Sequence, residues 1–349
     1  MKIRMFIMLF IFDIMKTVVK VKNLTIILVT ILFITSSSFI VYWIEPETFQ
    51  TPFLAFWYVM TTITTTGYGD YVPETILGKM YALILYIFGI LLLGIVIGKM
   101  VEAVSLYRRL KEEGRLSYKG TGHYVIIGWT HKSQRTINEL FLAKEHATIV
   151  LIDTLEKTPL ERDRVVYIQG DATEREMLHK ANILQCDAVL VFAPDTIDDP
   201  VSIDGRSLLI ASTIERLATE KSREIYTIVE IVREKHTSNF KHAKVDEFVL
   251  SNEAFSDLMA KSALHKGSTK IFMQLLSREH GDNVWELKKS SKWSTYRDAY
   301  TDLQNRGANL ISNRKDFGII RRLDEKVPDD AKLYVICDEE TYEKICAEI

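Results

Sequence analysis

The sequence predicts two membrane-spanning helices with a re-entrant helix between them, joined to an α/β Rossmann-like domain with a smaller α+β lobe. Three observations carry this prediction. Two long runs without charged residues lie at residues 24–44 and 80–97 of the 349-residue chain. Between them, the segment "TTITTTGYGDYVPE" (residues 61–74) combines threonines with a Gly-Tyr-Gly triplet. The rest of the chain alternates short apolar strands with amphipathic helical stretches.

Each apolar run is long enough to cross a lipid bilayer, because about 20 helical residues span the ~30 Å hydrocarbon layer. Residues 1–22 and 98–120 are rich in Lys and Arg, whereas the loop at residues 45–78 has neither. The acidic residues of this loop are Glu45, Glu47, Asp70 and Glu74. The positive-inside rule predicts a multi-pass protein of the plasma membrane with both termini cytoplasmic. Residues 1–22 are predicted to form a cytosolic or interfacial segment in contact with membrane lipid.

Charge and cysteine content narrow the function classes. The net charge is −2, so no overall basic field indicates a nucleic-acid partner. The cysteines are Cys186, Cys337 and Cys346, without a CxxC pair or a Cys/His cluster. This usage argues against a disulfide framework or a zinc site and suits a reducing cytosol.

The Gly-Tyr-Gly segment places bare backbone at membrane depth, where polar groups must be satisfied or line a polar cavity. Glycine adopts backbone angles closed to other residues, so successive carbonyls can point the same way. A ring of such carbonyls from several chains can replace the water shell of a cation. The preceding stretch, residues 51–63 with Pro52 near its start, is predicted to be a short re-entrant helix that directs its negative end towards that cation.

The pattern T-x-x-T-x-G-Y-G-D, starting at Thr62, resembles the potassium-channel signature, and the order of helices resembles a two-transmembrane potassium-channel pore. Thr66 stands where that family commonly has valine. The resemblance implies K+ as the transported ion and a homotetramer, since one strand cannot enclose an ion. The acids of the outer loop are then expected to make the mouth attractive to cations. The implied selectivity filter, called the filter segment below, is Thr65, Thr66, Gly67, Tyr68, Gly69 and Asp70.

The second apolar run contains Gly89, which matches the position of the gating hinge in that family. Glycine weakens a helix by ~1 kcal/mol relative to alanine, so it is a plausible bend point. The alternative is close helix packing, for which small residues are common in membranes. Neither run carries regularly repeated arginines, so control by voltage is not predicted and control by the soluble part is favoured.

The soluble part predicts a parallel sheet with helices on both faces, because strands and helices alternate. The predicted strands lie at residues 124–127, 147–153, 187–193, 225–232 and 246–251, with a further one at the start of 165–173.

A nucleotide site is predicted where the first three strands end. Gly128 opens a helix, and Asp153 ends the second strand, where a ribose-binding acid belongs. The predicted ligand is an adenine nucleotide or an NAD-type molecule, bound by Gly128, Trp129, Thr130, Asp153 and Asp171, with helix amides holding a phosphate. Only the first glycine of G-x-G-x-x-G is present, because Thr130 and Ser133 replace the others. The alternative is a tight turn at Gly128 and a helix cap at Asp153.

The stretches "HYVIIGW", "LID" and "GDAT" resemble the N-lobe of the RCK domain, the regulator of potassium conductance. "SNEAFSDLMAKSALH" resembles its crossover helix, and "GANLISN" with "VPDDAKLYVICDEETYEKI" resembles its C-lobe. The resemblance implies RCK domains that pair into a gating ring and pull on the pore. The predicted organisation is an N-terminal segment (1–22), a pore domain (23–105), a linker (106–120), an N-lobe (121–250), a crossover helix (251–266) and a C-lobe (267–349).

A divalent cation is a further candidate ligand. Calcium-gated relatives bind the ion through three carboxylates, and of the matching positions here, Ala193, Glu230 and Val232, only Glu230 is acidic. Nearby acids could bind a divalent ion, cap a helix or stay solvated. These are Asp195, Asp198, Asp199 and Asp204.

These patterns together predict a ligand-gated, potassium-selective channel rather than an enzyme. The alternative is an RCK-type nucleotide-binding module with a regulatory or oxidoreductase role. In that case the membrane part would serve mainly as its anchor. No proton donor stands out for an oxidoreductase, and the filter segment would then have no purpose.

Overall fold

The computed structural model describes residues 23–196, 199–278 and 281–349. The predicted interfacial segment at residues 1–22 and the candidate ligand Asp198 lie outside these residues. The chain divides into two compact units, Met1–Leu110 and Lys111–Ile349.

The first unit contains three helices, α1 (Asn23–Ile44), α2 (Pro52–Ile63) and α3 (Ile76–Glu112). Helices α1 and α3 are long and apolar enough to cross a membrane, while α2 is a shorter apolar helix. Their packed core is small and consists mainly of Val41, Phe49, Ala55, Tyr58, Val59, Ile63 and Leu85. Most apolar side chains of α1 and α3 are exposed. A surface of this kind requires lipid or further protein to cover it.

The start of α2 follows from local chemistry. Thr51 is in an extended conformation, and its hydroxyl accepts a hydrogen bond from the Leu54 N–H. Pro52 occupies the first turn, where its missing N–H costs nothing. The helix ends at Ile63, and its C-cap, Thr64, precedes the filter segment. The prediction of a re-entrant helix over residues 51–63 is confirmed.

The second unit begins with a six-stranded parallel sheet in the order β3-β2-β1-β4-β5-β6. Its strands are β1 (His123–Ile127), β2 (Ile149–Asp153), β3 (Val165–Gln169), β4 (Cys186–Val191), β5 (Thr227–Ile231) and β6 (Glu247–Leu250). The helices that follow are α4 (His131–Ala143), α5 (Arg175–Lys180) and α6 (Pro200–Glu220). The central strands are buried on both faces, as parallel sheets require. The predicted Rossmann-like fold is confirmed.

A smaller antiparallel sheet completes the second unit. Its three strands, β7 (Asn283–Lys288), β8 (Asn309–Asn313) and β9 (Lys332–Cys337), pair in the order β7-β9-β8. Helices α9 (Tyr296–Asn305) and α10 (Glu339–Glu348) accompany this sheet. Its core includes Trp285, Trp293, Leu303, Leu333 and Val335. The predicted α+β lobe is therefore present.

Two helices between the sheets bury none of their residues within the chain. They are α7 (Ser251–Leu264), in the region predicted as the crossover helix, and α8 (Ser268–Leu276). Their exposed apolar side chains are Phe255, Met259, Leu264, Ile271, Met273 and Leu276. Exposed apolar residues in such number mark a surface that another molecule covers.

Candidate ion-binding and ligand-binding sites

The filter segment is an irregular backbone stretch with positive φ at every second residue. The φ angles are 58° at Thr65, 59° at Gly67 and 74° at Gly69. Alternating the sign of φ lets successive carbonyls face one side, whereas an ordinary strand alternates them. Positive φ is uncommon for a β-branched residue such as Thr65 and costs roughly 1–3 kcal/mol. Such strain persists only where surrounding contacts hold it.

Helix α2 supplies those contacts. The N–H groups of Thr66 and Gly67 donate to the Thr61 carbonyl at 2.9 and 3.1 Å. The Trp57 Nε1–H donates to Asp70 Oδ2 at 2.9 Å. The Trp57 ring also stacks on Tyr68, with centroids 5.8 Å apart and planes 2° apart. Trp57 thus holds two residues of the filter segment, a role that the sequence reasoning missed, although its place in the aromatic stretch was visible.

The opposite side of the filter segment is open. No heavy atom lies within 4 Å of a Cβ built at Gly67 or Gly69. Thr65 to Asp70 are all exposed in the single chain. A ring of carbonyls able to bind an ion therefore needs further copies of the segment.

One acid of the outer loop has a structural role. Glu45 is buried, and its Oε1 accepts hydrogen bonds from the Thr75 N–H at 2.8 Å and the Thr75 hydroxyl at 2.6 Å. Its Oε2 accepts from the Glu74 N–H at 2.9 Å and from the Thr48 hydroxyl at 3.0 Å. A Cβ at Gly78 would lie 2.0 Å from Oε1, so a larger residue there would have to push the Glu45 carboxylate aside. The expectation that the four loop acids attract cations at the mouth stays a prediction. The structure adds that the Glu45 carboxylate joins the end of α1 to the start of α3.

Gly89 lies within the unbroken helix α3 and is buried. A Cβ at this position would lie 3.0 Å from Ile63 Cγ1 of α2. The close approach supports the packing interpretation, and the hinge role stays a prediction. By contrast, a Cβ added at Gly94 or Gly98 would have no atom within 4 Å in this chain.

In the second unit, a cavity of about 260 Å³ lies at the carboxyl ends of β1 and β2. Its walls include Gly128, Trp129, Thr130, Asp153, Gly170 and Arg206. Four of the five residues predicted for the ligand therefore share one cavity. The fifth, Asp171, contacts the cavity wall through Arg206, whose Nη2 lies 3.4 Å from Asp171 Oδ1. A hydrogen bond from the Thr173 backbone lowers the pKa of Asp171.

The backbone N–H groups of the glycine turn and of the first turn of α4 donate to nearby side chains. Asp153 Oδ2 accepts from the Trp129 N–H at 2.7 Å, and Asp195 Oδ2 accepts from the His131 N–H at 2.8 Å. Thr130 and Ser133 form a reciprocal capping box, with bonds of 2.8 Å from the Thr130 N–H and 3.0 Å from the Ser133 N–H. Four backbone donors near the start of α4, which could hold a phosphate in this fold, therefore have acceptors within the chain.

The alternative interpretation of Gly128 and Asp153 is partly right. Gly128 has φ 95°, and a Cβ there would lie 3.1 Å from the Phe192 carbonyl oxygen, which marks a tight turn. Asp153 caps no helix, because β3 is the next element after β2 among the described residues. Its carboxylate instead bonds the Trp129 N–H and, at 3.1 Å, the Leu155 N–H.

The carboxylate of Glu230 is buried and engaged. Its Oε1 accepts from Lys132 Nζ at 2.7 Å, and its Oε2 accepts from the Ala193 N–H at 3.0 Å. A metal ion bound here would have to displace the lysine ammonium. Among the residues that the structure describes, no group of three or more His, Cys, Asp or Glu could hold a metal ion.

The other candidate metal ligands have separate partners. Asp199 caps α6 by accepting from the Val201 and Ser202 N–H groups at 3.0 and 3.2 Å. Asp204 is buried on α6, where one carboxylate oxygen accepts from the Val232 N–H at 2.8 Å and the other bonds His236 Nδ1 at 2.6 Å. The capping interpretation is therefore right for Asp199, while Asp204 is neither a cap nor solvated.

Comparisons with known proteins agree with this architecture. A family model described as an ion channel matches residues 28–105, and one described as a TrkA-N domain matches residues 124–251. The chain is 32% identical over 221 residues to YugO of Bacillus subtilis, a protein named as a potassium channel, with 63% of this chain and 66% of YugO covered. That match spans just under two thirds of YugO. The calcium-gated potassium channel TvoK of Thermoplasma volcanium is 26% identical, with 68% of this chain and 67% of TvoK covered.

Among solved structures, the human SLO3 gating ring aligns with a TM-score of 0.50 and 13% identity. The alignment covers 64% of this chain and 45% of that one, and at this identity it shows the fold alone. The two family matches fall on the two units in the predicted order. The chain is therefore a membrane protein in which an ion-channel domain precedes a TrkA-N, or RCK, domain, and it is similar to potassium channels.

Proposed function

We propose that this chain is the subunit of a homotetrameric, potassium-selective channel of the plasma membrane, gated by a ligand of its RCK domain. The filter segment carries the proposal. Its φ signs alternate at Thr65, Gly67 and Gly69, helix α2 holds it from behind, and its front is open. Four copies around an axis would enclose K+ within rings of carbonyls, while the Thr65 hydroxyls would close the innermost site.

Selectivity in this proposal comes from how firmly the carbonyls are placed. Each ring replaces the water shell that the ion gives up, so its carbonyls must stay near a fixed separation. The bond from Trp57 to Asp70 and the stack of Trp57 on Tyr68 brace the outer half of the segment. The bonds to the Thr61 carbonyl brace the inner half.

In this proposal, the soluble unit controls the opening of the pore. The cavity at the carboxyl ends of β1 and β2, called the N-lobe cavity below, would bind a nucleotide. The exposed apolar sides of α7 and α8 would pair RCK domains into a ring. A ligand shifts gating only through different affinities for the open and closed states. Moving opening from 1% to 99% takes about 5.5 kcal/mol, or ~1.4 kcal/mol at each of four sites. One charge-assisted hydrogen bond per site can supply that amount. Both termini would be cytoplasmic, with residues 106–120 as the linker.

Ion flux from purified protein tests the proposal. The full chain is reconstituted into liposomes that hold a K+ gradient, and uptake is measured with K+, then Na+, as the transported ion. We expect K+ flux that far exceeds Na+ flux and that changes when adenine nucleotides are added to the side carrying the soluble unit. Protein-free liposomes serve as the control. Equal K+ and Na+ flux, or none with the oligomer intact, would contradict the proposed function.

A further inference from the structure

We infer that the N-lobe cavity takes a nucleoside with a single phosphate and rejects ligands that carry a pyrophosphate. This inference rests on the proposed nucleotide regulation and specifies which nucleotide the site can hold. Its basis is the occupied hydrogen-bonding groups of the Gly128 turn, the size of the cavity and the position of Arg206.

The first step concerns the backbone donors. A pyrophosphate in a Rossmann site binds free N–H groups at the start of the helix. Here the His131 N–H donates to Asp195 Oδ2 at 2.8 Å, and the Trp129 N–H donates to Asp153 Oδ2 at 2.7 Å. The capping box of Thr130 and Ser133 uses two more donors. A pyrophosphate would have to displace these acceptors before it could bind.

The second step concerns charge and bulk. Asp153 and Asp195 place two carboxylates beside backbone N–H groups that a diphosphate would need, and like charges repel. Thr130 and Ser133 are both buried, and they replace the glycines that let backbone and pyrophosphate approach closely. Both effects oppose two linked phosphates at the turn but leave the rest of the cavity open.

The third step concerns the space and the remaining cation. The cavity volume of about 260 Å³ lies below the ~300–1,000 Å³ that is usual for drug-sized ligands. Arg206 is the one cationic side chain among the described residues that line it. Its bond to Asp171 is long, at 3.4 Å, and the guanidinium has further donors for one phosphate. Asp153 keeps lone pairs that can accept from ribose hydroxyls.

Calorimetry on the purified full chain tests the inference with adenosine, AMP, ADP and NAD as probes. We expect AMP to bind at least tenfold more tightly than ADP or NAD. ADP or NAD binding as tightly as AMP would overturn the inference while leaving nucleotide regulation in place. Binding of none of the four would overturn the nucleotide part of the proposed function, and the inference with it.

Two variants separate the roles of the charged groups. Arg206→Met should weaken AMP binding about tenfold and leave adenosine binding unchanged, because only AMP carries the phosphate. Asp195→Ala frees the His131 N–H and removes a negative charge, so ADP affinity should rise several-fold. Asp187→Ala, at the opposite end of β4, is the matched control and should change neither affinity. Unchanged ADP affinity in Asp195→Ala, or equal losses of AMP and adenosine in Arg206→Met, would contradict the assignment.

Discussion

The filter segment and the Gly128 turn both place glycine at positive φ, but the space around their glycines differs. No atom lies within 4 Å of a Cβ at Gly67 or Gly69, and the segment is exposed. At Gly128 a Cβ would lie 3.1 Å from the Phe192 carbonyl oxygen, and nearby side chains accept from the turn's N–H groups. The filter segment is thus left without neighbours on one side in a single chain, whereas the Gly128 turn is packed against its own chain.

The difference teaches how to interpret a glycine motif. Glycine permits an unusual backbone, but the neighbouring side chains decide whether the exposed polar groups remain available. Around Gly67 and Gly69, the Trp57 side chain and the Thr61 backbone carbonyl bond behind the segment. Around Gly128, nearby side chains accept hydrogen bonds from the N–H groups of the turn and of the first turn of α4. An open stretch indicates a ligand or partner from outside, and a closed turn limits which ligand can enter.

The largest expected effect is in the filter segment. Alanine at Gly67 or Gly69 meets no atom within 4 Å, but it must adopt φ 59° or 74°, which disfavours the segment's conformation by ~1–2 kcal/mol per residue in each chain. We expect loss of K+ flux in liposomes while the oligomer stays assembled on size-exclusion chromatography. Gly94→Ala is the control, since Gly94 is helical with equally open space. Selective K+ flux in an assembled Gly67→Ala variant would break the assignment of the filter.

The next effect concerns Glu45. Its carboxylate accepts hydrogen bonds from backbone N–H groups of the outer loop, as Asp153 does from the Trp129 N–H after Gly128. Glu45→Ala leaves the Glu74 and Thr75 N–H groups without their acceptor, and each stranded donor costs ~1–3 kcal/mol. We expect a clear fall in the melting temperature of the detergent-solubilised protein, and a similar fall for Gly78→Ala. Glu47 is exposed, so Glu47→Ala is the matched control. Equal melting temperatures for Glu45→Ala and Glu47→Ala would show that the hydrogen bonds of the Glu45 carboxylate do not stabilise the loop.

A smaller effect is expected at the closed turn. Gly128→Ala forces φ 95° on alanine and brings its Cβ to 3.1 Å from the Phe192 carbonyl oxygen. A cost of ~1–2 kcal/mol follows, with a drop of about 2–4 °C per kcal/mol for a domain of this size. Gly205→Ala, in a helix with no atom within 4 Å, should instead stabilise by ~0.4–1 kcal/mol. If both variants shift the melting temperature alike, the turn is less constrained than its contacts indicate.

Much of the fold and the filter segment could be predicted because their signals are local. Charge-free runs, the T-x-x-T-x-G-Y-G-D pattern and strands alternating with helices lie within short windows of sequence. Asp153 was placed correctly beside Gly128 for the same reason, since strand ends of a parallel sheet share one edge.

The remaining parts of the sites depend on contacts that sequence patterns do not encode. Arg206 reaches Asp171 from a position 35 residues later, on a helix whose rotation decides which side chains face the cavity. Asp195 was seen as a possible metal ligand, but its acceptor role depends on where α4 begins. The sequence does not distinguish Glu45 from the other acids of the outer loop, because its partners Thr75 and Gly78 lie 30 or more residues away in the chain.

The smallest effect is expected from His123, a buried side chain outside the proposed binding sites. It is fully buried; Nε2 lies 2.9 Å from the Ala181 carbonyl oxygen, and Nδ1 has no partner among the described residues. Burial lowers its pKa, so below about pH 6.5 the unfolded chain binds more protons and stability falls as the pH falls. Between pH 7.5 and 5.5 the melting temperature should therefore fall less in His123→Gln than in wild type. His265→Gln, at an exposed histidine, should behave as wild type. Equal falls in all three proteins would show that His123 is not a source of the acid sensitivity.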